Sequence, residues 1–279
     1  MTVSAYAKIN LTLEVFGKRP DGYHALRSVV APISFSDALE IETTDDGSIT
    51  SDTGYDDDLC VKAARALKSS VSSLPSSIGA TIHVTKRIPA GGGLGGGSAD
   101  AAAVLRALNE AWSVGLPLEE LAELGAQVGS DVPALVIGGP VIMEGRGEKV
   151  EDLRLKTEDL NLVLVNPGVR CSTREVYERC VPRETGGENL TARMAEAWSA
   201  GDFKGVCAAL ANDLQDPAVR LHSEIADALV SLRTAGAEGV MMSGSGSCVF
   251  GLVPDAARAE ELSVELNRRG FQAWPVHTI

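Results

Sequence analysis

The sequence predicts an α+β fold in two domains, and three observations support that prediction. Segments with the hydrophobic period of strands are interleaved with segments that have the period of helices, which is typical of layered sheets and helices. The chain has 279 residues, which slightly favours two domains over one. A lysine- and glutamate-rich stretch at 149–159 separates two such sets of segments. We therefore predict domains at 1–155 and 156–279.

The first strand is predicted from the alternation of apolar and polar residues between Val3 and Val15. The alternation places Lys8 and Asn10 on the same polar face, which either faces solvent or lines a site. A turn at Gly17–Gly22 then leads into Tyr23 and His24, a pair that could pack in the core or hold an aromatic base.

The rest of the first domain follows from similar patterns. Three adjacent acids at 56–58 are explained as the N-cap of a helix. The predicted strands are 25–35, 37–42, 81–88 and 140–150, the last with a turn at Gly145–Gly147, and the predicted helices are 59–71, 98–112 and 117–128.

The strongest local signal is a glycine loop that leads directly into an alanine-rich helix. Backbone N–H groups can surround an anion where no Cβ blocks the approach, and a helix N-terminus adds further donors. The loop therefore predicts a phosphate site, with Ser98 as helix N-cap and as a hydroxyl near the anion; the alternative is a mobile linker. The loop consists of Pro89, Ala90, Gly91, Gly92, Gly93, Leu94, Gly95, Gly96, Gly97, Ser98 and Ala99.

Two familiar phosphate motifs do not fit this loop. The glycines also satisfy the dinucleotide-binding pattern, but that motif needs a second strand ending in an acid about 20 residues on. The segment there, which includes Pro117–Leu121, has a helical pattern. A Walker A loop would need Lys followed by Ser or Thr after Gly97, and Ser98 follows instead. The loop is therefore a third kind of phosphate loop.

A further loop, Gly129–Pro133, contains Asp131 at the start of a new element. From the pattern alone, Asp131 is either an N-cap or a functional carboxylate. The second domain then contains a second glycine turn at 243–247. Its predicted strands are 160–165, 239–242, 248–253 and 271–277, and its predicted helices are 173–179, 190–198, 203–214, 218–235 and 255–269.

Composition excludes several classes of protein. The net charge of −13 disfavours nucleic acid as a partner. Five scattered cysteines and four unclustered histidines indicate neither a disulfide framework nor a zinc or histidine metal site. No apolar run approaches the length of a membrane span and no signal peptide is evident, so we expect a cytoplasmic protein that does not bind membranes.

Three stretches together resemble the three motifs of the GHMP small-molecule kinases: Ala7–Leu11, Pro89–Ala102 and Ser243–Gly246. The resemblance implies an N-terminal domain of ribosomal S5 domain 2 type, a ferredoxin-like C-terminal domain and an active site between them. It implies ATP as phosphoryl donor, with Mg²⁺. It also implies that Lys8 and Asp131 form the catalytic pair and that the glycine loop wraps the ATP phosphates.

Within that family, the stretches 18–24, 93–102 and 129–133 resemble the members that phosphorylate a cytidine diphosphate-linked alcohol in isoprenoid precursor synthesis. This implies that Tyr23 and His24 hold the cytosine and that Asn10 lies near the substrate hydroxyl. Residues Gly244, Ser245 and Gly246 would border the phosphate site. Because Ala99 replaces a second serine that is frequent in the family, the hydroxyl near Mg²⁺ would be that of Ser98.

Two alternatives to this function stay open at this point. One is a GHMP kinase for a different alcohol, such as a sugar or a mevalonate-type substrate, which the Tyr23–His24 pair disfavours. The other is a nucleic-acid-binding module of the S5 type, which the acidic charge disfavours. For assembly we expect a monomer or a homodimer.

Overall fold

The computed structural model describes residues 1–155, 159–184 and 187–279. The predicted domain boundary adjoins residues 156–158, which lie outside the described residues. The N-terminal half contains β1 (Thr2–Asn10), β2 (Thr12–Lys18), β3 (His24–Thr44), β4 (Ile49–Ser51), α1 (Leu59–Ser70), β5 (Gly79–Thr85), α2 (Gly96–Ala111), α3 (Leu118–Val128), α4 (Val132–Ile137), β6 (Val141–Gly145) and β7 (Lys149–Asp152). The C-terminal half contains β8 (Asn161–Asn166), α5 (Thr173–Glu178), α6 (Leu190–Ser199), α7 (Phe203–Ala209), β9 (Ala211–Asn212), α8 (Gln215–Leu221), α9 (Ser223–Thr234), β10 (Gly239–Met242), β11 (Val249–Val253), α10 (Ala256–Arg268) and β12 (Gln272–His277).

The long strand β3 organises the N-terminal sheet. Its first half pairs with β2 on one edge and β6 on the other, and its second half pairs with β1 and β5. The single strand predicted for 3–15 is in fact β1 and β2, which are interrupted at Leu11. The interruption has a local cause, because the Val29 N–H of β3 donates to the Thr12 hydroxyl (2.8 Å) instead of to a strand carbonyl.

The structure replaces two predicted strands at 25–35 and 37–42 with the single strand β3. Asp37 does not end the strand, because its side chain is fully buried and accepts hydrogen bonds from the backbone N–H groups of Arg87 and Ile88. The same two bonds explain why β5 stops at Thr85 and not at residue 88 as predicted. One buried carboxylate thus determines where the chain leaves the sheet to enter the glycine loop.

Helix α2 begins two residues earlier than predicted. Its N-cap is Gly95, with φ of +68° and no capping side chain, so the prediction of Ser98 as N-cap is wrong. Ser98 lies within the first turn of α2 and does not cap the helix. The buried face of α2 consists largely of alanines, which allows close packing of the helix against the sheet.

The C-terminal sheet is antiparallel, in the order β10-β11-β8-β12. With its helices between β8 and β10 and between β11 and β12, it has the βαββαβ chain order of a ferredoxin-like domain. The predicted α+β fold with this C-terminal domain is confirmed.

Two predicted C-terminal helices are wrong in their extent. The helix predicted at 203–214 ends at Ala209, because the next residues leave it to form β9, which pairs in parallel with β2 of the N-terminal half. The backbone N–H of Ala211 donates to Leu11 O (3.4 Å) and that of Asp213 to Leu13 O (3.0 Å). The helix predicted at 218–235 is two helices, α8 and α9, separated by the extended residue His222.

The two halves are joined by buried polar contacts as well as by β9. Glu14 on β2 is almost fully buried, and its carboxylate accepts hydrogen bonds from the Thr191 N–H (3.1 Å) and hydroxyl (2.8 Å). The negative charge therefore lies at the N-terminus of α6, where the helix dipole favours it. In the part of the chain that the structure describes, no helix is long and apolar enough to cross a membrane.

Candidate active site

A cleft with a volume of about 1110 Å³ lies between the two halves of the molecule. One end is lined by the segment before α1 and by the glycine loop, and the other by the turn before β3 and by α5. Lys8 and Asp131 lie between these ends, and Gly244, Ser245 and Gly246 approach from the C-terminal half. The cleft therefore brings together all the segments that the sequence analysis singled out.

The glycine loop is held by its carbonyl groups. Gly91 O accepts hydrogen bonds from the N–H groups of Cys171 (3.2 Å) and Ser247 (3.1 Å), and Gly92 O accepts one from Cys248 N–H (3.1 Å). All three donors belong to the C-terminal half. Since the C=O and N–H of a trans peptide point in opposite directions, this arrangement turns the N–H of Gly93 away from those contacts, while the N–H of Gly92 donates to Pro89 O (3.3 Å) within the loop. The first N–H groups of α2 add donors without intrahelical partners.

Lys8 connects this loop to the carboxylate of Asp131. Its side chain is 4% exposed, and its ammonium group donates to Asn10 Oδ1 (2.7 Å) and Gly93 O (3.0 Å). The same ammonium lies 3.6 Å from Asp131 Oδ2. A buried cation with three oxygen neighbours is satisfied without water, so its position is closely defined.

Asp131 occupies the N-cap position of α4 but does not act as a cap. Its carboxylate makes no capping hydrogen bond and is instead directed towards Lys8. With 31% of its side chain exposed, this carboxylate remains accessible from the cleft. Of the two roles left open by the pattern, the capping role is therefore excluded.

Asn10 is held from behind by a second polar contact. Its Nδ2 donates to the Ser28 hydroxyl (2.8 Å), which in turn donates to the Thr12 carbonyl. Asn10 and Ser28 are both buried. This chain of bonds fixes the Asn10 amide beside the ammonium of Lys8.

The second glycine turn packs directly on the first. The Ser243 hydroxyl donates to Gly93 O (3.0 Å), and the Ser245 and Thr173 hydroxyls are 2.9 Å apart. Residues 244–246 therefore line the cleft next to the glycine loop.

The far end of the cleft contains aromatic rings. The His24 and Tyr177 ring centroids are 5.6 Å apart, while Tyr23 is 53% exposed and has the Arg146 guanidinium 5.5 Å from its ring centroid. His24 Nδ1 lies 3.1 Å from Phe16 O, an acceptor, so Nδ1 carries the proton and Nε2 is available to a ligand.

Sequence reasoning missed Tyr177. The only signal was an aromatic residue inside a short predicted helix, which is usually a packing residue. Burial, with a contribution from the negative charge of Asp131, raises the pKa of the Tyr177 phenol. The Tyr177 phenol is thus a neutral hydrogen-bond donor, and its ring contributes an aromatic surface to the cleft.

A cluster of two buried carboxylates, Asp37 and Asp100, and the partly exposed Lys86 lies at the entrance of the glycine loop. Lys86 Nζ donates to Asp100 Oδ2 (2.7 Å) and to Asp37 Oδ2. Burial tends to lower the pKa of Lys86, but its hydrogen bonds to the two carboxylates outweigh that effect and raise it. Burial also raises the pKa of the Asp100 carboxyl to about 6, against the opposing effect of Lys86. The other oxygen of Asp100, Oδ1, is buried and has no hydrogen-bond partner among the described residues.

Comparison with known proteins defines the class to which this chain belongs. Residues 58–139 match the GHMP kinases N terminal domain, and residues 194–272 match GHMP kinases C terminal. The chain belongs to the GHMP kinases and is an ATP-dependent small-molecule kinase.

The relatives are more specific. The chain is 41% identical over 268 residues to the 4-diphosphocytidyl-2-C-methyl-D-erythritol kinase of Bacillus cytotoxicus, which covers 94% of this chain and 91% of that protein. It is 40% identical, with the same coverage, to the kinase of that name from Bacillus cereus. A solved 4-(cytidine 5'-diphospho)-2C-methyl-D-erythritol kinase has a TM-score of 0.83 and 33% identity, covering 100% of this chain and 99% of that chain. A homoserine kinase from Cytophaga hutchinsonii has a TM-score of 0.77 at 16% identity, covering 100% of this chain and 94% of that one, and shows the fold alone.

Gly93→Ala should disrupt the contact between the two glycine segments. A Cβ at Gly93 would lie 2.1 Å from Ser243 O, and its φ of +72° is strained for alanine. We expect the Kd for ATP to rise about tenfold or more, equivalent to a loss of about 1.4 kcal/mol. Gly168→Ala is the matched control, because its φ is +83° but nothing lies within 4 Å of the added Cβ. Equal ATP affinity in the two variants would show that the contact at Gly93 does not shape the loop.

Asp100→Asn should change how stability depends on pH. The native pKa of about 6 lies above the reference value of 3.8, so the folded state binds more protons between these values, and stability falls as pH rises through this window. The unfolding free energy at pH 4 minus that at pH 6 should be smaller in the variant by about 1–3 kcal/mol, because one pKa unit corresponds to about 1.4 kcal/mol. Urea unfolding from pH 4 to 7 measures this slope, with exposed Asp227→Asn as control. An unchanged slope would place the titration elsewhere.

Proposed function

We propose that this kinase transfers the γ-phosphoryl group of ATP to the 2-hydroxyl of 4-diphosphocytidyl-2-C-methyl-D-erythritol, in the methylerythritol phosphate pathway. The relatives named for this activity support the proposal over nearly the full chain. They do not favour a nucleic-acid-binding module or a kinase for another alcohol.

One observation supports this function above the others. Lys8 contacts both Gly93 of the glycine loop and the carboxylate of Asp131, in a cleft that continues from the loop to the aromatic rings of His24 and Tyr177. A nucleotide at one end and a second aromatic base at the other would place the reacting groups at Lys8 and Asp131.

At the nucleotide end, the proposed ATP contacts are the loop residues 89–99. The N–H groups of this loop and of the first turn of α2 supply donors for the phosphates without side chains in the way. Gly244, Ser245 and Gly246 would limit the same space from the C-terminal half. Phosphoryl transfer depends mainly on positioning and charge stabilisation, which this backbone arrangement provides.

At the reacting centre, Asp131 would accept the proton of the substrate hydroxyl as that oxygen attacks the γ-phosphorus. The ammonium of Lys8, 3.6 Å from Asp131 Oδ2, would offset negative charge on the attacking oxygen. Asn10 lies 2.7 Å from the same ammonium and would orient the hydroxyl. The bond to the γ-phosphorus forms as its bond to the β,γ-bridging oxygen breaks, and ADP leaves.

Mg²⁺ belongs to this proposal as the companion of ATP. The described residues contain no cluster of three or more His, Cys, Asp or Glu side chains that could form a metal site. A cation bound mainly by nucleotide phosphates and water needs only one or two protein oxygens, and the Ser98 hydroxyl and Asp131 carboxylate both line the cleft. When bound, Mg²⁺ would offset the charge of the phosphates.

At the other end, the cytosine would lie against the rings of Tyr23, His24 and Tyr177. Stacking on aromatic faces favours a planar base. The free Nε2 of His24 is an acceptor that matches the exocyclic amino group of cytosine. This proposal therefore adds Tyr177 to Tyr23 and His24, the two cytosine contacts predicted from the sequence.

The direct test is release of ADP with ATP, Mg²⁺ and 4-diphosphocytidyl-2-C-methyl-D-erythritol. A panel with galactose, mevalonate and homoserine in place of that substrate tests the alternatives. Turnover with the cytidine diphosphate-linked alcohol alone would support the proposal, whereas turnover with another alcohol would replace it.

Asp131→Asn should lower kcat by about 10²-fold or more while ATP affinity changes little, because the variant loses the proton acceptor but keeps the shape of the side chain. Lys8→Ala should also lower kcat strongly, because the carboxylate then loses its cation. Asp45→Asn, an exposed carboxylate in the β3–β4 turn, is the control. If Asp131→Asn kept parental turnover, Asp131 would not be the base.

Three predictions about organisation complete the proposal: domains at 1–155 and 156–279, a monomer or homodimer, and a cytoplasmic location, where ATP is available. Light scattering of the purified protein distinguishes the two assembly states.

A further inference from the structure

The second glycine turn, 243–247, is held by a side chain outside the cleft. Asn212, on β9, donates through Nδ2 to both Met242 O (2.8 Å) and Gly244 O (2.8 Å). One amide thus bridges the carbonyl that precedes the turn and a carbonyl at its tip. Asn212 is not among the residues that line the cleft.

The orientation of this amide is itself fixed. Its Oδ1 accepts a hydrogen bond from the Leu214 N–H (2.9 Å), so Nδ2 must face the turn. A neighbouring side chain supports the same segment, because Gln215 Oε1 accepts a hydrogen bond from the Met242 N–H (3.0 Å). Both sides of Met242 are therefore bound by side chains from the β9–α8 segment.

Strand β9 is anchored in the other half of the molecule. It pairs in parallel with β2, where Leu13 lies opposite Asn212. The Val15 N–H of β2 also donates to Asp213 Oδ2 (2.9 Å). Through Asn212, the turn is therefore hydrogen-bonded to a strand of the same sheet that contains Lys8.

A small displacement of the turn would reach the reacting centre. A Cβ built on Gly244 would lie 2.8 Å from Gly93 O and 3.2 Å from Lys8 Nζ. The backbone of the turn is therefore in close contact with the two groups that connect ATP to Asp131. Catalytic rates are sensitive to such displacements, since a shift of about 1 Å can cost about 10²-fold.

We propose that Asn212, assisted by Gln215, is a positioning residue for phosphoryl transfer: it sets the place of the turn 243–247 against Gly93 and Lys8. This inference rests on the proposed function, in which that turn borders the transferred phosphate. It assigns a catalytic purpose to the short strand β9.

The test compares Asn212→Ala and Asn212→Asp with matched variants of Asn267. Asn267 makes the same set of bonds elsewhere, because its Nδ2 donates to Ser263 O and Ala273 O (2.8 Å each) and its Oδ1 accepts from the Ala273 N–H (3.1 Å). Both pairs of variants should lose stability in urea unfolding. We expect kcat to fall by about 10–10²-fold only in the Asn212 variants, with KM for ATP changed much less.

Asn212→Asp should be the more damaging of the two, since its second oxygen can only accept and would face two carbonyls. Gln215→Met provides a milder variant that removes one bond at nearly constant volume, with a smaller loss of kcat expected. A parental kcat in folded Asn212→Ala, or an equal loss in Asn267→Ala, would overturn the inference. Failure of the parent itself to release ADP would count against the proposed function instead.

Discussion

The contact between the glycine loop and the C-terminal half is the constraint on which the rest of the site depends. The carbonyls of Gly91 and Gly92 are bound by N–H groups of the other half, and Gly93 O is bound by Lys8 and Ser243. Six residues of this loop are glycines without side chains, so its conformation depends on these hydrogen bonds together with the buried side chain of Leu94. The flexibility of glycine is thus removed by main-chain hydrogen bonds, while the space for an anion is kept.

Around this contact, buried polar side chains form hydrogen bonds that join segments distant in the sequence. Asp37 fixes the entry to the glycine loop, Glu14 holds the start of α6, and Asn10 rests on Ser28. Burying any of these polar groups without its hydrogen-bond partners would destabilise the folded state, so each is stable only when its partners are in place. The same residues therefore contribute to the specificity of the fold and to the geometry of the cleft.

The sequence predicted the local parts of this arrangement well. Period-two alternation put Lys8 and Asn10 on one face, and they are in contact; a helix follows the glycine loop as expected, although it begins two residues earlier than predicted. What local patterns could not supply were long-range pairings. From the pattern alone, Asp131 was either a cap or a functional carboxylate; the structure excludes the cap and shows the contact with Lys8, and the functional role stays a prediction. Strand β9 was hidden because its two residues continue a helical pattern, and only the bonds to β2 take them out of a helix.

The hydrogen bonds of the glycine loop also determine whether the two halves of the chain can be treated as independent domains. Each half has its own sheet, and by that criterion each resembles an independent domain. The glycine loop, however, belongs to the N-terminal half in sequence, whereas backbone N–H groups of the C-terminal half bind its carbonyls. Neither half alone would supply all the hydrogen bonds that hold this loop, so an isolated half is not expected to keep the loop conformation seen in the whole chain.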